Sequence, residues 1–187
     1  MLCMFPFVKV AKVATKVVEI AHFVAAALIL AAAVCALAAP QYLHHFVEFE
    51  PVGNVIVLSA YSFEVITPSL NGLPDLTVFS LYGFGAVTIF VLIALIFHNI
   101  YSVIEKSEGR TPFQMDNVRK LKWVGVFSII IPVVGFVMGS VIKLAVGVDA
   151  VEVSGGMDGL IMGIIVLCLT QFFAHGVELE DEVEGLL

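Results

Sequence analysis

Four long apolar segments constrain the fold of this chain more than any other feature of its sequence. They cover about residues 17–39, 76–104, 123–146 and 157–177. Each is long enough to cross a hydrocarbon core about 30 Å thick, which takes about 20 apolar residues in a helix. No segment alternates apolar and polar residues as the strands of a membrane β-barrel do. The pattern predicts an all-α membrane protein, a four-transmembrane-helix bundle in one integral membrane domain covering residues 1–187.

The composition agrees with this prediction and excludes other classes of protein. Apolar residues make up 60 % of the chain and charged residues 13 %, whereas a soluble domain has about 45–50 % and about 25 %. Intrinsic disorder requires the opposite bias. The net charge is −7 and no basic face is available, so we expect no direct binding of nucleic acid.

The basic residues predict the orientation of the four spans. Eight of the nine Lys and Arg residues precede the first segment or lie between the second and third: Lys9, Lys12, Lys16, Lys106, Arg110, Arg119, Lys120 and Lys122. Basic residues near span ends mark the cytoplasmic side. We therefore expect a multi-pass protein of the cytoplasmic (inner) membrane with both termini inside. The loop at residues 105–122 and the acidic tail at residues 178–187 then also lie inside.

The N-terminal segment has the lysines and the apolar run of a signal peptide. Its apolar run is longer than the roughly 7–15 residues of a signal-peptide core. We expect it to remain as an uncleaved first span.

The two loops on the outer side predict a small β-rich cap. In the first, at residues 40–75, the stretch 55–67 is rich in Val, Ile, Phe and Tyr and follows turn-forming residues, which predicts an antiparallel pair of strands. In the second, residues 148–153 mix apolar and acidic side chains and would add a third strand. Three strands packed on helix ends are more stable than a lone hairpin in water.

The sequence Thr111-Pro112-Phe113-Gln114 has the features of a helix start. Thr111 would cap the helix, Pro112 would take its first position, and Gln114 would reach back to complete the capping box. Arg119, Lys120 and Lys122 would follow at the membrane surface.

Small residues recur in the spans at the spacing needed for close helix packing. Gly155, Gly159 and Gly163 are four residues apart, as are Gly135 and Gly139. Such grooves let helix backbones approach in a membrane, where close packing drives association. We expect packing within the chain, with a homo-oligomer formed through a glycine face as the alternative.

Four ionisable residues lie at membrane depth and are candidate functional residues: Glu19, His22, His98 and His175. A carboxylate and three histidines at one level would suit a metal, haem or proton site. However, their spacing does not repeat between helices, and all four lie near the cytoplasmic interface. We expect ordinary interfacial hydrogen bonding, with neither a metal nor a cofactor. The middle of the spans is almost purely apolar, which disfavours a conduction pathway.

Two stretches of the chain resemble a known family. The first includes Phe97-His98-Asn99, Glu108-Gly109-Arg110-Thr111-Pro112-Phe113 and Asn117-Val118-Arg119-Lys120-Leu121; the second is Phe173-Ala174-His175-Gly176-Val177-Glu178-Leu179-Glu180-Asp181-Glu182. Together they are similar to the bacterial four-span membrane family called domain of unknown function 2975. The resemblance implies a prokaryotic membrane protein without an established activity. It also implies a regulatory partnership with a small helix-turn-helix protein in the cytoplasm.

The sequence contains no phosphate-binding glycine loop, nucleophile elbow or zinc-protease helix. We therefore expect a regulatory or accessory membrane protein that binds partners and is not an enzyme. The alternative is a small transporter or channel, or a metal- or haem-binding membrane protein, that uses the four ionisable residues. The candidate partner surface combines the basic loop with the acidic tail: Arg110, Arg119, Lys120, Lys122, Glu178, Glu180, Asp181 and Glu182.

Overall fold

The computed structural model describes residues 5–43, 47–108, 111 and 113–184. The chain is mostly helical. The described elements are α1 (Phe5–Ala38), a 3-10 turn (Pro40–Tyr42), β1 (Val55–Ala60), β2 (Phe63–Pro68), α2 (Leu76–Lys106), α3 (Met115–Val146), β3 (Glu152–Gly155) and α4 (Asp158–Glu184).

The four predicted spans are confirmed as helices. Within the described residues, four helices are long and apolar enough to cross a membrane: Val8–Ala38, Leu76–Lys106, Met115–Val146 and Asp158–Glu180. Of their most apolar windows, 50 % is buried in α2 but only 17–22 % in the other three. Large apolar side chains such as Leu144 (83 % exposed) and Phe136 (77 % exposed) therefore lie on the surface of these helices.

The helices extend beyond the predicted spans. α1 begins at Phe5, well before residue 17, because the lysine-bearing stretch ahead of the apolar run contains neither Gly nor Pro after Pro6 and continues the helix. α3 continues through Pro132 without interruption.

The three strands form one antiparallel sheet in the order β1-β2-β3. β1 and β2 are a hairpin in which Val57 pairs with Ile66, and β3 adds to β2 with Val153 opposite Val65. The third strand begins later than predicted. Residues 148–150 form a turn after Gly147, whose φ of 102° is accessible to glycine at little cost, so the strand occupies Glu152–Gly155 instead of residues 148–153.

α3 also begins later than predicted. The Thr111 hydroxyl accepts a hydrogen bond from the Phe113 N–H (3.1 Å), and the Gln114 side chain donates to the Thr111 carbonyl (3.1 Å). These bonds close a turn ahead of the helix, and Met115 is the first helical residue. The predicted capping box is not formed, because Gln114 precedes the helix and its side chain donates to the Thr111 carbonyl instead of accepting from the Thr111 N–H. Pro112 lies outside the described residues.

The chain divides into two compact units, which we name by their contents. The terminal unit comprises Met1–His22, Leu92–Ile130 and Leu160–Leu187, and the sheet unit comprises Phe23–Val91 and Ile131–Gly159. Each of the four helices contributes a segment to both units.

The sheet unit is built around Phe63, whose side chain is fully buried. Its ring stacks on Tyr82 of α2 at 5.3 Å between centroids. Gly85 and Gly135 lie against the same ring, where a Cβ would be 3.0 and 3.5 Å from its nearest Phe63 atom. At Gly139 of α3, a Cβ would lie 2.5 Å from Val153 of β3. Small residues thus let helix backbones approach the sheet side chains closely.

In the terminal unit, α3 and α4 meet at two glycines. A Cβ added to Gly163 would lie 2.7 Å from the Gly125 carbonyl oxygen and 2.5 Å from Ile129 Cγ1. A Cβ added to Gly125 would lie 2.7 Å from Leu167 Cγ. Glycine therefore serves packing within the chain at this crossing.

Candidate functional site

A buried carboxylate, Glu19, has two nitrogen partners in the terminal unit. Only 6 % of Glu19 is exposed. Lys16 Nζ lies 3.0 and 3.1 Å from its two carboxylate oxygens, and His98 Nδ1 of α2 lies 3.1 Å from one of them. The Lys16 and His98 side chains are 42 % and 54 % exposed. This arrangement stabilises a charge inside α1 and links it to α2.

The structure brings Glu19 and His98 together but gives the other two predicted residues different partners. His22 Nδ1 donates to the Val18 carbonyl (2.7 Å), and its ring stacks on Phe97 at 6.0 Å between centroids. His175 lies beside Glu178 on the same helix, with 3.3 Å between Nδ1 and Oε2. Among the residues that the structure describes, no three His, Cys, Asp or Glu side chains are placed to share a metal ion.

A second network links the N-terminal part of α1 to the end of α2. Lys12 Nζ lies 3.4 Å from Glu105 Oε1 and 3.1 Å from Glu108 Oε2. The Tyr101 hydroxyl donates to Glu105 at 3.0 Å. Lys12 and Lys16 both lie over the Tyr101 ring, 5.7 and 5.0 Å from its centroid. The two lysines predicted to orient the first span therefore also hold α1 against α2.

A third network pairs two lysines of the basic loop with one carboxylate. Asp116 in the first turn of α3 accepts a hydrogen bond from Lys106, and Lys120 Nζ lies 3.6 Å from the same carboxylate. Lys120 also donates to the Ser102 hydroxyl. Lys106 and Lys120 thus share one carboxylate next to the loop, and neither is paired with a described residue of the acidic tail.

The basic loop and the acidic tail meet through a different contact, which we call the loop–tail contact. The Thr111 hydroxyl donates to Glu180 Oε2 at 2.9 Å. The Phe113 ring lies 5.6 Å from the Phe173 ring between centroids. It also lies against Gly176, where a Cβ would be 2.6 Å from Phe113 Cδ1. The two stretches that carry the family resemblance are thus in direct contact.

Four other charged residues of the predicted partner surface are exposed: Arg119, Lys122, Glu178 and Glu182. Arg119 and Lys122 on α3 and Glu182 on α4 form no ion pair with any residue that the structure describes. Arg110 lies outside the described residues, and of Asp181 only the helical backbone is described. Glu178, paired with His175, is 70 % exposed.

The exposed cations of α3 stand beside an exposed aromatic residue. Trp123 is 48 % exposed and stacks on Phe127 at 5.4 Å between centroids. Arg119, Lys122 and Trp123 are three and four residues apart, which places them on one face of the helix. This face can accept an acidic partner or an anionic headgroup without first breaking an ion pair.

Sequence reasoning missed the pairing of Lys12 with Glu105 and Glu108, and the packing of Phe113 on α4. The second had a signal in the sequence. Gly176 lies three residues after Phe173 and leaves a position without a side chain on the surface of the helix. Because protein interiors are closely packed, such a space is filled by a neighbouring side chain.

Comparison of the chain with protein-family models, with curated proteins and with solved structures found no match. The family resemblance therefore rests on the two short stretches in the loop–tail contact.

Proposed function

We propose that this chain is a multi-pass protein of the prokaryotic cytoplasmic membrane, with both termini in the cytoplasm and the three-stranded sheet on the outer side, where β2 packs on α2 through Phe63 and Tyr82. The proposal is supported by four helices of sufficient length and by the distribution of basic residues. Eight of nine flank one set of helix ends, and basic residues are concentrated on the cytoplasmic side of membrane proteins.

We propose further that the protein has a regulatory or accessory role and acts by binding a protein partner, without catalysing a reaction. The observation that carries this proposal is the pair of exposed, uncompensated cations Arg119 and Lys122. By contrast, Lys106 and Lys120 of the same loop region share the carboxylate of Asp116. Arg119 and Lys122 remain available to bind an acidic surface of a partner.

The loop–tail contact gives this partner a way to change the protein. The contact consists of one hydrogen bond and one cluster of aromatic side chains, with Phe113 41 % exposed. One hydrogen bond contributes about 0.5–1.5 kcal/mol and one aromatic pair about 0.5–1.5 kcal/mol beyond its buried area. A partner that binds the basic face would need to supply only a few kcal/mol to separate loop from tail. The family resemblance points to a small helix-turn-helix protein as such a partner.

The test is crosslinked purification of the full chain from its native membrane, with recovered proteins quantified for each variant. Charge reversal of the uncompensated pair, Arg119→Glu with Lys122→Glu, is the decisive variant. Lys9→Glu is its matched control, since Lys9 is also exposed and makes no ion pair with any described residue. A chain ending after Val177 removes the tail.

We expect the partner to be lost on reversal of Arg119 and Lys122 and to be retained in Lys9→Glu. Exposed charge pairs are screened by salt, so recovery should also fall as the ionic strength of the wash rises. Recovery of the same proteins at the same level from all variants would refute the proposed surface.

A second function is favoured by the Glu19–His98 contact. A buried carboxylate hydrogen-bonded to an imidazole in neighbouring spans is a common element of proton and metal pathways. In this alternative the protein is a small transporter, channel, or metal- or haem-binding protein. A stoichiometric metal or haem in the purified protein, or an ion flux in vesicles that is lost in Glu19→Gln, would favour it.

A further inference from the structure

The sheet unit contains an apolar groove that the proposed function does not use. It has a volume of about 630 Å³ and lies between the C-terminal half of α1, strand β1 and the N-terminal part of α2. Most of its lining is hydrocarbon, including Ala32 and Phe79. Three lining residues carry polar atoms: Cys35, Ser59 and Tyr82. A groove of this volume is within the range of small-molecule sites, about 300–1,000 Å³.

Tyr82 indicates what kind of molecule the groove takes. The residue is 7 % exposed, and its ring stacks on the buried Phe63. Its hydroxyl makes no hydrogen bond to any residue that the structure describes. A polar group in an otherwise apolar lining fixes the orientation of a bound molecule. The groove therefore suits a molecule that has a hydrogen-bond acceptor for the Tyr82 hydroxyl. The rest of that molecule would be hydrocarbon, in contact with the apolar side chains of the lining.

The position of Tyr82 along α2 indicates the depth of that acceptor in the membrane. α2 has 31 residues and is about 46 Å long at 1.5 Å per residue. When α2 is centred in a hydrocarbon core about 30 Å thick, about 8 Å of the helix, or about five residues, extends beyond the core at each end. Tyr82 is the seventh residue of α2. It therefore lies close to the boundary between hydrocarbon and headgroups, where the ester carbonyls of phospholipids are found.

We propose that this groove binds one acyl chain of a membrane phospholipid, and that the Tyr82 hydroxyl donates a hydrogen bond to the ester carbonyl of that chain. The chain fills a groove that would otherwise leave the side chains of α1, β1 and α2 without contacts. The carbonyl is an acceptor at the required depth. This lipid site is separate from the partner surface on α3 and does not depend on it.

The occupancy of the groove can be measured by native mass spectrometry of the full chain, purified in detergent and mixed with a synthetic ester phospholipid. Ala32→Phe places a ring in the groove. Ala27→Phe on the same helix is the matched control, since Ala27 is exposed and does not line the groove. We expect wild type and Ala27→Phe to retain one phospholipid through delipidating washes, and Ala32→Phe to lose it. Equal retention by all three chains would overturn the proposal.

The native thiol of Cys35 reports on the groove without filling it. With Cys3 and Cys168 replaced by Ser, alkylation of Cys35 by N-ethylmaleimide should slow when the phospholipid is added. The same rate with and without lipid would count against the proposed site.

The hydrogen bond is tested by removing either of its partners. Tyr82→Phe deletes only the hydroxyl, and an ether-linked phospholipid lacks only the carbonyl. In wild type we expect the ester lipid to bind about threefold to tenfold more tightly than its ether analogue, the effect of one hydrogen bond. In Tyr82→Phe the preference should vanish. An equal preference in both chains would show that Tyr82 does not bind the carbonyl, and retention of free fatty acid in place of phospholipid would also refute the proposal.

Discussion

The crossing of α3 and α4 in the terminal unit can be tested by a single methyl group at Gly163. Alanine is favoured over glycine inside a helix by about 1 kcal/mol, so Gly163→Ala would stabilise the protein if the site were open. The new Cβ would instead lie 2.5 Å from Ile129 Cγ1, 2.7 Å from the Gly125 carbonyl oxygen and 3.1 Å from the Ile129 N. Two of these atoms belong to the backbone of α3, so the helices have to separate.

The size of the effect follows from these distances. Overpacking costs about 1–3 kcal/mol, and the upper end applies because backbone atoms must move. After subtraction of the helix-propensity gain of about 1 kcal/mol, Gly163→Ala should lower the free energy of unfolding by about 2 kcal/mol. In a chain of this length, that corresponds to a Tm lower by about 4–8 °C.

Gly135→Ala in the sheet unit is the matched control. Its Cβ would lie 3.5 Å from the nearest atom of Phe63, which is an ordinary contact. Gly135→Ala should therefore keep the propensity gain and leave Tm unchanged or raise it by about 2–4 °C. Thermal unfolding of both variants in the same detergent gives the comparison. A Gly163→Ala chain as stable as wild type would refute the close crossing. A changed oligomeric state with an unchanged Tm would instead support packing of Gly163 against a second copy.

Three further predictions use the other contacts. Lys16→Met should lower the free energy of unfolding, measured by thermal unfolding, by about 1–2 kcal/mol. This is less than the roughly 3–5 kcal/mol lost when a fully buried ion pair is broken, because the Lys16 side chain is 42 % exposed. Adding Glu19→Gln to the Lys16→Met chain should restore most of the lost stability. Single cysteines at Asn54 and Gln114 should react with a membrane-impermeant maleimide from opposite sides of the membrane, and labelling of both from one side would refute the proposed topology. Phe113→Ala should speed hydrogen exchange in the loop before α3, and unchanged exchange would show that the loop–tail contact does not hold it.

The four helices could be predicted because the requirement for them is local. A run of apolar residues long enough to cross a membrane is visible in the sequence itself, as are the strand-forming residues of β1 and β2. Helix ends were less predictable. The Thr111 hydroxyl accepts a hydrogen bond from the Phe113 N–H in a turn and does not cap the first turn of the helix. A threonine in a turn and a threonine at a helix N-cap have the same sequence pattern.

The candidate site was less predictable than the fold. Sequence position predicted the level of Glu19, His22, His98 and His175 along their helices. That level does not determine which sides of two neighbouring helices are in contact. Glu19 and His98 are in contact, whereas His175 is paired along its own helix with Glu178. The periodicity of one helix contains no information on its rotation relative to its neighbours, and the positions of facing side chains depend on that rotation.

The order of the strands has a consequence for the synthesis of the protein. β1 and β2 are neighbours in the chain, so their hairpin needs no later part of the sequence. β3 follows α3, so the third strand reaches β2 only after two more helices have been made, when Val153 can pair with Val65. Until then β2 has one open edge, and unpaired strand edges favour association with other chains. A chain that ends before β3 therefore keeps the edge of its longer strand β2 uncovered, whereas in the complete sheet the four-residue β3 takes the edge position.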